Sequence, residues 1–354
     1  MKSRISQFGA TYAGAVGAGL ASAVLFSLVT QGTIIAIALA YLAPLPIMIA
    51  MIGFGRAAGL VATALATLAV IAIAFAQQVR ETPDGALGAA AFSGLAFALS
   101  LAAPALWLSF LAALSRPKDT ASWSIVTGAG RAFARDYYPL ERLLAYAVAI
   151  SATIAVVATV IVSSRHGGFD AALNRADEAL TPMLESLAAE TPLPHDVDLH
   201  KLARLLVLAA PPVVAASTLL MLMLNLWIAA RVAEVSGRLP RPWPDIPHEL
   251  RLSRTYAPVF LAAIAVAFVG GLPGLISAIV AAALGMAFSL QGLAVIHDLT
   301  RGLKYRAFLL GLIYACLVLP PITPWPLIAF AAVGLLESAF SLRDRKKNSI
   351  SPKT

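Results

Sequence analysis

Long apolar runs separated by short polar segments fill most of the chain between residues 9 and 341. A helix needs about 20 apolar residues to cross the hydrocarbon core of a bilayer. The pattern therefore predicts an all-α, polytopic α-helical integral membrane protein with about ten spans and no fewer than eight. The predicted spans are about 9–30, 33–54, 57–76, 86–114, 143–163, 203–230, 256–271, 274–297, 306–321 and 324–341.

Prolines leave the course of four of these runs open. Pro44 and Pro46 break the second run. Pro104 lies within 86–114, which is long enough for one tilted, kinked helix or for two short helices. The last two runs are separated only by the proline-rich segment 320–324.

The positive charges fall almost entirely on one side of this threading. When the first span starts inside, all of the 26 Lys and Arg residues fall on the inner side except Arg80, Arg165, Arg175, Lys201 and Arg204. Cytoplasmic loops of membrane proteins carry an excess of Lys and Arg. The asymmetry predicts a multi-pass protein of a bacterial-type inner (cytoplasmic) membrane with both termini in the cytoplasm.

The same charges divide the chain into four regions. Two membrane bundles of about five spans each flank an extracytoplasmic segment, and a basic cytoplasmic tail follows the last span. In chain order the regions are the N-terminal bundle 1–163 with a basic cytoplasmic loop at 115–142, the external segment 164–202, the C-terminal bundle 203–342 with a Pro-rich cytoplasmic strap at 231–255, and the tail 343–354.

Two of the soluble segments have recognisable patterns. Apolar residues recur at helical spacing in the external segment, and the opposite face is acidic, so we expect an amphipathic helix on the outer surface or over a cavity. Its role is either a connector at the headgroups or a lid. Residues 237–247 of the strap are too rich in proline for a helix and predict an extended strap with Trp243 at the interface. The apolar positions of the external helix are Phe169, Leu173, Ala176, Leu180, Met183, Leu184 and Leu187.

The composition of the chain limits the classes of partner that we expect. The chain is 60% hydrophobic and only 12% charged, which is too little polar surface for a soluble fold. Its net charge of +8 lies in short loops that flank apolar runs, so we expect no nucleic acid and expect the lipid bilayer as the partner. The single cysteine, Cys316, lies inside an apolar run and is expected to be a small core residue.

No motif indicates catalysis. The chain has no Gly-Lys-Ser or Gly-Lys-Thr phosphate loop, no HExxH and no CxxC, and Gly128-Ala-Gly130 lacks the third glycine of a dinucleotide site. We therefore expect a protein that is not an enzyme and that has no catalytic residue, no metal site and no cofactor.

Three polar residues inside the apolar runs are the candidate ligand-binding residues, since such groups are costly in a membrane. They are Asn225 in the sixth span, Gln291 in the eighth and Glu337 in the tenth. Hydrogen bonding between helices is the alternative for Asn225 and Gln291. The alternative for Glu337 is solvation at the interface or pairing with a base, because Arg343 follows it by about a turn and a half.

Small residues recur at four-residue steps in the first span, a pattern that lets helix backbones approach closely. The pattern predicts either ordinary internal packing or a docking face for another membrane subunit. The residues are Gly14, Ala18 and Ser22, with Ala15, Gly19 and Ala23 on the neighbouring face.

Several short motifs are similar to those of a known family. They are Asn225-Leu-Trp-Ile-Ala-Ala-Arg231, Gln291-Gly-Leu-Ala-Val-Ile-His297, Pro320-Pro321, Gly334-Leu-Leu-Glu-Ser-Ala-Phe-Ser-Leu-Arg343 and, more loosely, Leu45-Pro46 with Gly53-Phe-Gly-Arg56. On these the chain resembles the YybS-like family of predicted membrane proteins, whose function is unknown. That family usually has an aspartate where this chain has Glu337.

The YybS-like family is distantly similar in helix arrangement to two kinds of membrane protein. One is the substrate-capturing S component of energy-coupling-factor vitamin transporters, and the other is the rod-shape protein MreD. By analogy the resemblance implies that the first span meets a transmembrane partner. It transfers no ligand motif to this chain.

Two functions are consistent with these patterns. The first is a membrane subunit that binds or transports a small molecule with energy from partner proteins. The alternative is a non-transporting, MreD-like membrane scaffold for envelope assembly or division. A transporter of a polar solute is expected to gather Asn225 and Gln291 around one cavity, whereas a scaffold is expected to pack them against separate neighbours.

Overall fold

The computed structural model describes residues 2–81, 83–117, 124–125, 135–190, 198–318 and 324–345. Within these ranges the chain is almost entirely helical. The first half forms α1 (Lys2–Ser27), a 3-10 turn (Leu28–Gln31), α2 (Ile34–Ala40), α3 (Pro44–Phe54), α4 (Arg56–Glu81), α5 (Ala86–Phe97), a π-helical turn (Ala98–Ala102), α6 (Ala103–Ala112), β1 (Leu114–Pro117), β2 (Ser124–Ile125) and β3 (Arg135–Tyr137). The second half forms α7 (Leu140–Arg165), α8 (Phe169–Glu190), α9 (Leu199–Val235), α10 (Ile246–Glu249), α11 (Tyr256–Ala267), α12 (Gly271–Leu299), α13 (Arg306–Val318) and α14 (Pro324–Phe340).

Seven helical segments of the described chain are long and apolar enough to cross a membrane, which fits the predicted α-helical membrane protein. Three further apolar helices are shorter, at 10–17 residues. Each of the ten predicted apolar runs overlaps one of these segments. The seven are Thr11–Gln31, Ile34–Phe54, Arg56–Arg80, Ala86–Ala112, Leu140–Arg165, Leu199–Val235 and Gly271–Leu299, and the three are Tyr256–Ala267, Arg306–Leu317 and Trp325–Phe340.

A small antiparallel sheet lies where the sequence predicted only a basic loop. Its strand order is β2-β1-β3, and Ser115 pairs with Tyr137 in the β1–β3 register. Residues 118–123 and 126–134 of that loop, including Arg131, lie outside the described residues, as do 319–323 and the tail from 346. Alternating hydrophobicity, which identifies a strand, does not show over strands this short.

The described chain divides into two compact units. The first comprises Met1–Ala147 and Met221–Pro244, and the second comprises Val148–Leu220 and Asp245–Thr354. In the first unit α1 packs against α3 and α4. A side chain at Gly19 would meet the Ala62 carbonyl oxygen, so glycine is required where α1 approaches α4.

The second apolar run of the first unit is two helices rather than one. A turn at residues 41–43 separates α2 from α3, because Pro44 has no amide hydrogen to continue the ladder. The Ser22 hydroxyl donates to the Ala43 carbonyl (2.6 Å), and the Asn225 amide donates to the Tyr41 carbonyl (2.8 Å). Side chains of two other helices therefore satisfy backbone groups that the break leaves open.

The run 86–114 forms one continuous helical segment. A π-helical turn at Ala98–Ala102 joins α5 to α6 just before Pro104. A π turn widens the backbone by one residue, which accommodates the proline that cannot donate to the preceding turn. Of the two alternatives for this run, the structure has the single, locally widened helix.

In the second unit α12 is the central helix and packs against α11 and α14. The α12–α14 crossing is very close, since a Cβ at Gly292 would overlap the Phe330 carbonyl and a Cβ at Gly334 would overlap the Phe288 carbonyl. The Ser289 hydroxyl donates to the Leu327 carbonyl across the same crossing (2.8 Å). Small residues thus bring two backbones together here.

A tight turn folds α8 back after α7. Gly167 and Gly168 both have positive φ (82° and 122°), a conformation that other residues adopt at a cost. The Gly168 amide donates to the Ser163 carbonyl (2.9 Å), and the Gly168 carbonyl then accepts from Ala172 in the first turn of α8.

We predict opposite effects for two Gly→Ala changes in this unit. Gly334→Ala should destabilise the protein by about 1–3 kcal/mol, because the helices must separate to admit a methyl group. Gly311→Ala in α13, where no atom of the described residues lies within 4 Å of the added methyl group, should be neutral or stabilising by about 0.5–1 kcal/mol. Unfolding in mild detergent followed by tryptophan fluorescence measures both. Equal midpoints for the two variants would contradict the close crossing.

Candidate functional site

A buried ion pair lies at the C-terminal end of α14. Glu337 and Arg343 are 3% and 1% exposed, and Arg343 Nε donates to Glu337 Oε1 at 2.8 Å. The Arg343 backbone amide donates to the second carboxylate oxygen (3.2 Å). The pairing alternative for Glu337 is therefore the one that the structure shows.

The remaining donors of Arg343 hold the segment before α11. Nη1 donates to the carbonyls of Pro247 (2.7 Å) and His248 (3.2 Å), and Nη2 donates to the carbonyl of Leu250 (3.1 Å). A buried guanidinium is tolerated when its charge is paired and its donors are satisfied. Here one side chain fixes the path of the backbone over residues 247–250.

Gln291 completes the same cluster from α12. Its Nε2 donates to the Gly334 carbonyl (2.7 Å) and to the Ser338 hydroxyl (3.0 Å), and its Oε1 accepts from the Leu252 amide. Gln291 is fully buried. We call Gln291, Glu337 and Arg343 the Arg343 cluster.

The Arg343 cluster is internally satisfied. Each member bonds to backbone or to another member, so a ligand would have to displace a protein hydrogen bond to reach Gln291 or Glu337. The ligand-binding role of these two residues stays a prediction, and the geometry is that of a structural clamp.

Exposed ion pairs surround the cluster. Arg251 donates to both carboxylate oxygens of Asp344 (2.9 and 2.8 Å), and Arg301 pairs with Asp245. These hydrogen bonds hold the pKa of Asp344 and of Asp245 below the usual range for aspartate. Their small stabilising contribution is therefore present above the ordinary aspartate pKa and is lost as pH falls through the lowered values.

Asn225 belongs to the first unit, whereas Gln291 and Glu337 belong to the second. Its Nδ2 donates to the carbonyls of Tyr41 and Met221, both at 2.8 Å, so the side chain joins α9 to the break between α2 and α3. Its Oδ1 is buried and has no hydrogen-bond partner among the described residues. Asn225 thus makes the interhelical bond that was the alternative to a ligand contact.

The small residues of the first span lie against the chain's own helices. Ala15, Ala23 and Ser22 are fully buried and Gly19 is buried against α4, while a Cβ at Gly14 would contact the Phe54 ring at 3.4 Å. Ala18 is half-buried. These contacts are those of ordinary internal packing, which was the alternative to a docking face. A docking role for these residues stays a prediction.

A largely apolar cavity of about 260 Å³ lies in the second unit. It lies between the last turns of α7, the first half of α8 and the early part of α9, with Leu275 of α12 also on its wall. The lining is alanine, valine, leucine, proline and phenylalanine, with only two hydroxyls. The lining residues are Ala155, Ala158, Thr159, Val162, Ser163, Phe169, Ala172, Leu173, Ala176, Val207, Leu208, Ala210, Pro211, Val214 and Leu275.

The first half of α8 covers this cavity. The helix was predicted as amphipathic, and three positions of its predicted apolar face, Phe169, Leu173 and Ala176, line the cavity. Further along, Met183 and Leu187 of the same face are 69% and 58% exposed. The first two turns of α8 therefore lie over a cavity, which is one of the two positions expected for this helix.

The walls contributed by α7 and α9 were not among the predicted site residues. Ala155, Ala158 and Thr159 recur at the spacing of one helix face, but alanine on a membrane helix is equally typical of ordinary packing. The one available signal in α9 was the pair Pro211-Pro212 inside a long apolar helix. Neither pattern reveals a cavity until the helices are placed together.

Among the described residues, no group of three or more His, Cys, Asp or Glu side chains has the arrangement of a metal site. No family model, no curated protein and no solved structure matches the chain. The resemblance to the YybS-like family accordingly stays a prediction, and the function has to be argued from the geometry of the two sites.

We predict that Arg343→Met costs about 3–5 kcal/mol of stability, because it leaves the Glu337 carboxylate buried without a counter-charge. The double variant Arg343→Met/Glu337→Met should lose less than Arg343→Met alone, since no buried charge remains. Arg345→Met, at an exposed arginine two residues later, should change stability by no more than about 0.5 kcal/mol. Denaturant unfolding in detergent measures the three variants. A double variant less stable than Arg343→Met would contradict the pairing.

Proposed function

We propose that this chain is a membrane subunit that binds a hydrophobic small molecule in the cavity beneath α8 and captures or moves it with energy supplied by partner proteins. The observation that supports this proposal is the cavity itself, with its apolar walls on α7, α8 and α9. Ligand sites are typically concave and mostly apolar, with few polar groups.

The cavity is large enough for a small ligand or for part of a larger ligand. At about 260 Å³ it exceeds the engineered apolar cavities of about 150 Å³ that bind benzene. It lies just under the range of about 300–1,000 Å³ that is usual for drug-sized ligands. An alkyl segment or a single ring system therefore matches the space.

The proposal places the protein in a cytoplasmic membrane with ten spans, both termini in the cytoplasm and α8 outside. Within the second unit, the end of α7, the start of α9 and the start of α12 meet around the cavity. The threading by positive charges assigns these same three helix ends to the external side. The packing thus agrees with the charge rule that these three helix ends share one side, and the charge rule alone supports that side as external.

Energy from partners enters the proposal because the sequence has no phosphate loop of its own. The YybS-like family is distantly similar in helix arrangement to S components. S components are a precedent for a membrane subunit that captures a substrate and does not itself hydrolyse a nucleotide. The partner proteins themselves are not identified by this chain.

The second candidate is a non-transporting membrane scaffold for envelope assembly or division. The specific observation in its favour is that the intramembrane polar residues have separate protein partners. Asn225 bonds to Tyr41, and Gln291 bonds to Gly334 and Leu252. Because these polar side chains do not meet at one cavity, that distribution argues against a polar solute. A binding protein with a hydrophobic ligand in the α8 cavity is therefore the version of the first candidate function that best fits the structure.

We predict that Ala172→Phe blocks the cavity, whereas the neighbouring Ala171→Phe does not. Ala172 lines the cavity, and Ala171 is exposed on another side of α8. The probe is a long-chain alcohol that carries a diazirine, incorporated into vesicles that contain the protein and activated by light. We expect adducts on residues 155–163 and 169–176 of the wild type and of Ala171→Phe, and a several-fold loss in Ala172→Phe. Equal labelling of both variants would overturn the hydrophobic-ligand proposal.

We also predict the sidedness of two matched positions. In a Cys316→Ala background, Ser186→Cys on α8 should react with an impermeant maleimide in spheroplasts, and Ser236→Cys after α9 should react only after permeabilisation. Both serines are exposed and make only a local bond to a backbone carbonyl, so the changes are equivalent. The reverse labelling pattern would overturn the proposed orientation.

A further inference from the structure

We infer that the α8 cavity takes the hydrocarbon chain of an anionic lipid, whose acidic headgroup is bound by Arg204. The inference rests on the proposed function, namely that the cavity holds a hydrophobic molecule. It adds the chemical class of that molecule and the residue that selects it.

Arg204 lies on the cavity face of α9. It precedes Val207 and Leu208 by three and four residues and Pro211 by seven, and all three line the cavity. Residues at these spacings share one face of an α-helix. Arg204 is therefore about one turn beyond the apolar wall, toward the start of α9.

The guanidinium of Arg204 has no protein partner among the described residues, and the residue is exposed. The contrast is Lys201 on the same helix, whose ammonium pairs with Asp198 at 3.1 Å. Lys201 is also farther than Arg204 from the centre of the cavity face, because it has a same-face spacing to Leu208 alone, whereas Arg204 has such spacings to Val207, Leu208 and Pro211. One of the two neighbouring cations is thus compensated within the protein and the other is available to a ligand.

Arg204 lies at a membrane depth at which its guanidinium can contact a lipid headgroup. Between Arg204 and Arg231 the helix carries no charged residue, and the stretch 205–230 is about 39 Å long at about 1.5 Å per residue. The hydrocarbon core of a bilayer is about 30 Å thick. Arg204 therefore lies at the outer interface when α9 crosses the membrane, next to the lipid phosphates, while the cavity extends to chain depth.

The neighbouring positions on the cavity faces of α7 and α9 are basic or titratable rather than acidic. His166 follows the lining residue Val162 by four, and its Nδ1 donates to the Val162 carbonyl (2.8 Å). His200 precedes Arg204 by four on α9 and contacts the Thr181 hydroxyl at 3.4 Å. On α8, Asp170 precedes the lining residue Leu173 by three residues and Asp177 follows it by four, and both lie about a quarter of a turn or more from the centre of the lining face. His166, His200 and Arg204 lie closer to the centres of the lining faces of their helices, so the charge at the mouth favours an anion.

The location of Arg204 also departs from the charge pattern of the chain. It is one of the few basic residues that the threading places on the external side. A cation at an interface is stabilised by anionic headgroups. A specific lipid contact gives a physical reason for an arginine at a position where the positive-inside pattern disfavours one.

The experiment compares two diazirine-labelled phospholipids with identical chains, phosphatidylglycerol and phosphatidylcholine, in vesicles that contain the full-length protein. We expect the wild type to give about tenfold more adduct on the cavity residues with the anionic lipid, the effect of one charge-assisted hydrogen bond. Arg204→Gln should reduce that ratio to near one while it keeps the adduct with phosphatidylcholine. Lys201→Gln, the matched control, should keep the wild-type ratio.

The outcomes separate this inference from the proposed function. Labelling of the cavity that is equal for the two lipids in the wild type would overturn the anionic class and leave a hydrophobic ligand standing. A wild-type preference for the anionic lipid that Arg204→Gln leaves unchanged would overturn Arg204 as the residue that binds the headgroup. Labelling by neither lipid would overturn the proposed function as well. A free long-chain fatty acid added as competitor tests the source of the anion, because displacement of phosphatidylglycerol by an equimolar amount would contradict a phospholipid occupant.

Discussion

Backbone amides and carbonyls have no water to bond to inside a bilayer, and the rest of this structure depends on that constraint. It explains why the apolar runs are helices, and it also explains the use of the rare polar side chains. Ser22 and Asn225 bond to the carbonyls that the break before Pro44 leaves open. Before Pro104, a π-helical turn within the continuous helical segment accommodates the proline.

The same constraint governs the Arg343 cluster. A buried arginine is acceptable only when its donors are satisfied, and Arg343 has Glu337 and three backbone carbonyls as acceptors. The cluster therefore holds the segment that leads into α11 against the ends of α12 and α14. Polar residues in the membrane are often functional, but here their hydrogen-bonding capacity is largely used by the protein.

The candidate functional site is instead the apolar cavity beneath α8, which the intramembrane polar residues do not line. The cavity beneath α8 has walls of small and branched side chains on α7 and α9, and the Gly167-Gly168 turn is what folds α8 over it. In the inferred site, Arg204, which has no protein partner in the described part of the chain, supplies a polar contact at the mouth. The proposed ligand accordingly combines a hydrophobic body with an acidic group.

The sequence by itself determined the solvent of this protein and the ten apolar segments, because hydrophobicity over about 20 residues and the placement of Lys and Arg depend only on local composition. It also predicted the apolar face of α8 from helical spacing, and it named Arg343 as a base within reach of Glu337. It did not determine the three-stranded sheet, whose strands are too short for a pattern. Only the tertiary structure decided that Gln291 and Asn225 bond to backbone groups far along the chain, and that Ala155, Ala172 and Pro211 enclose a cavity. Contacts between distant helices depend on which faces meet, and that choice is not encoded in any single segment.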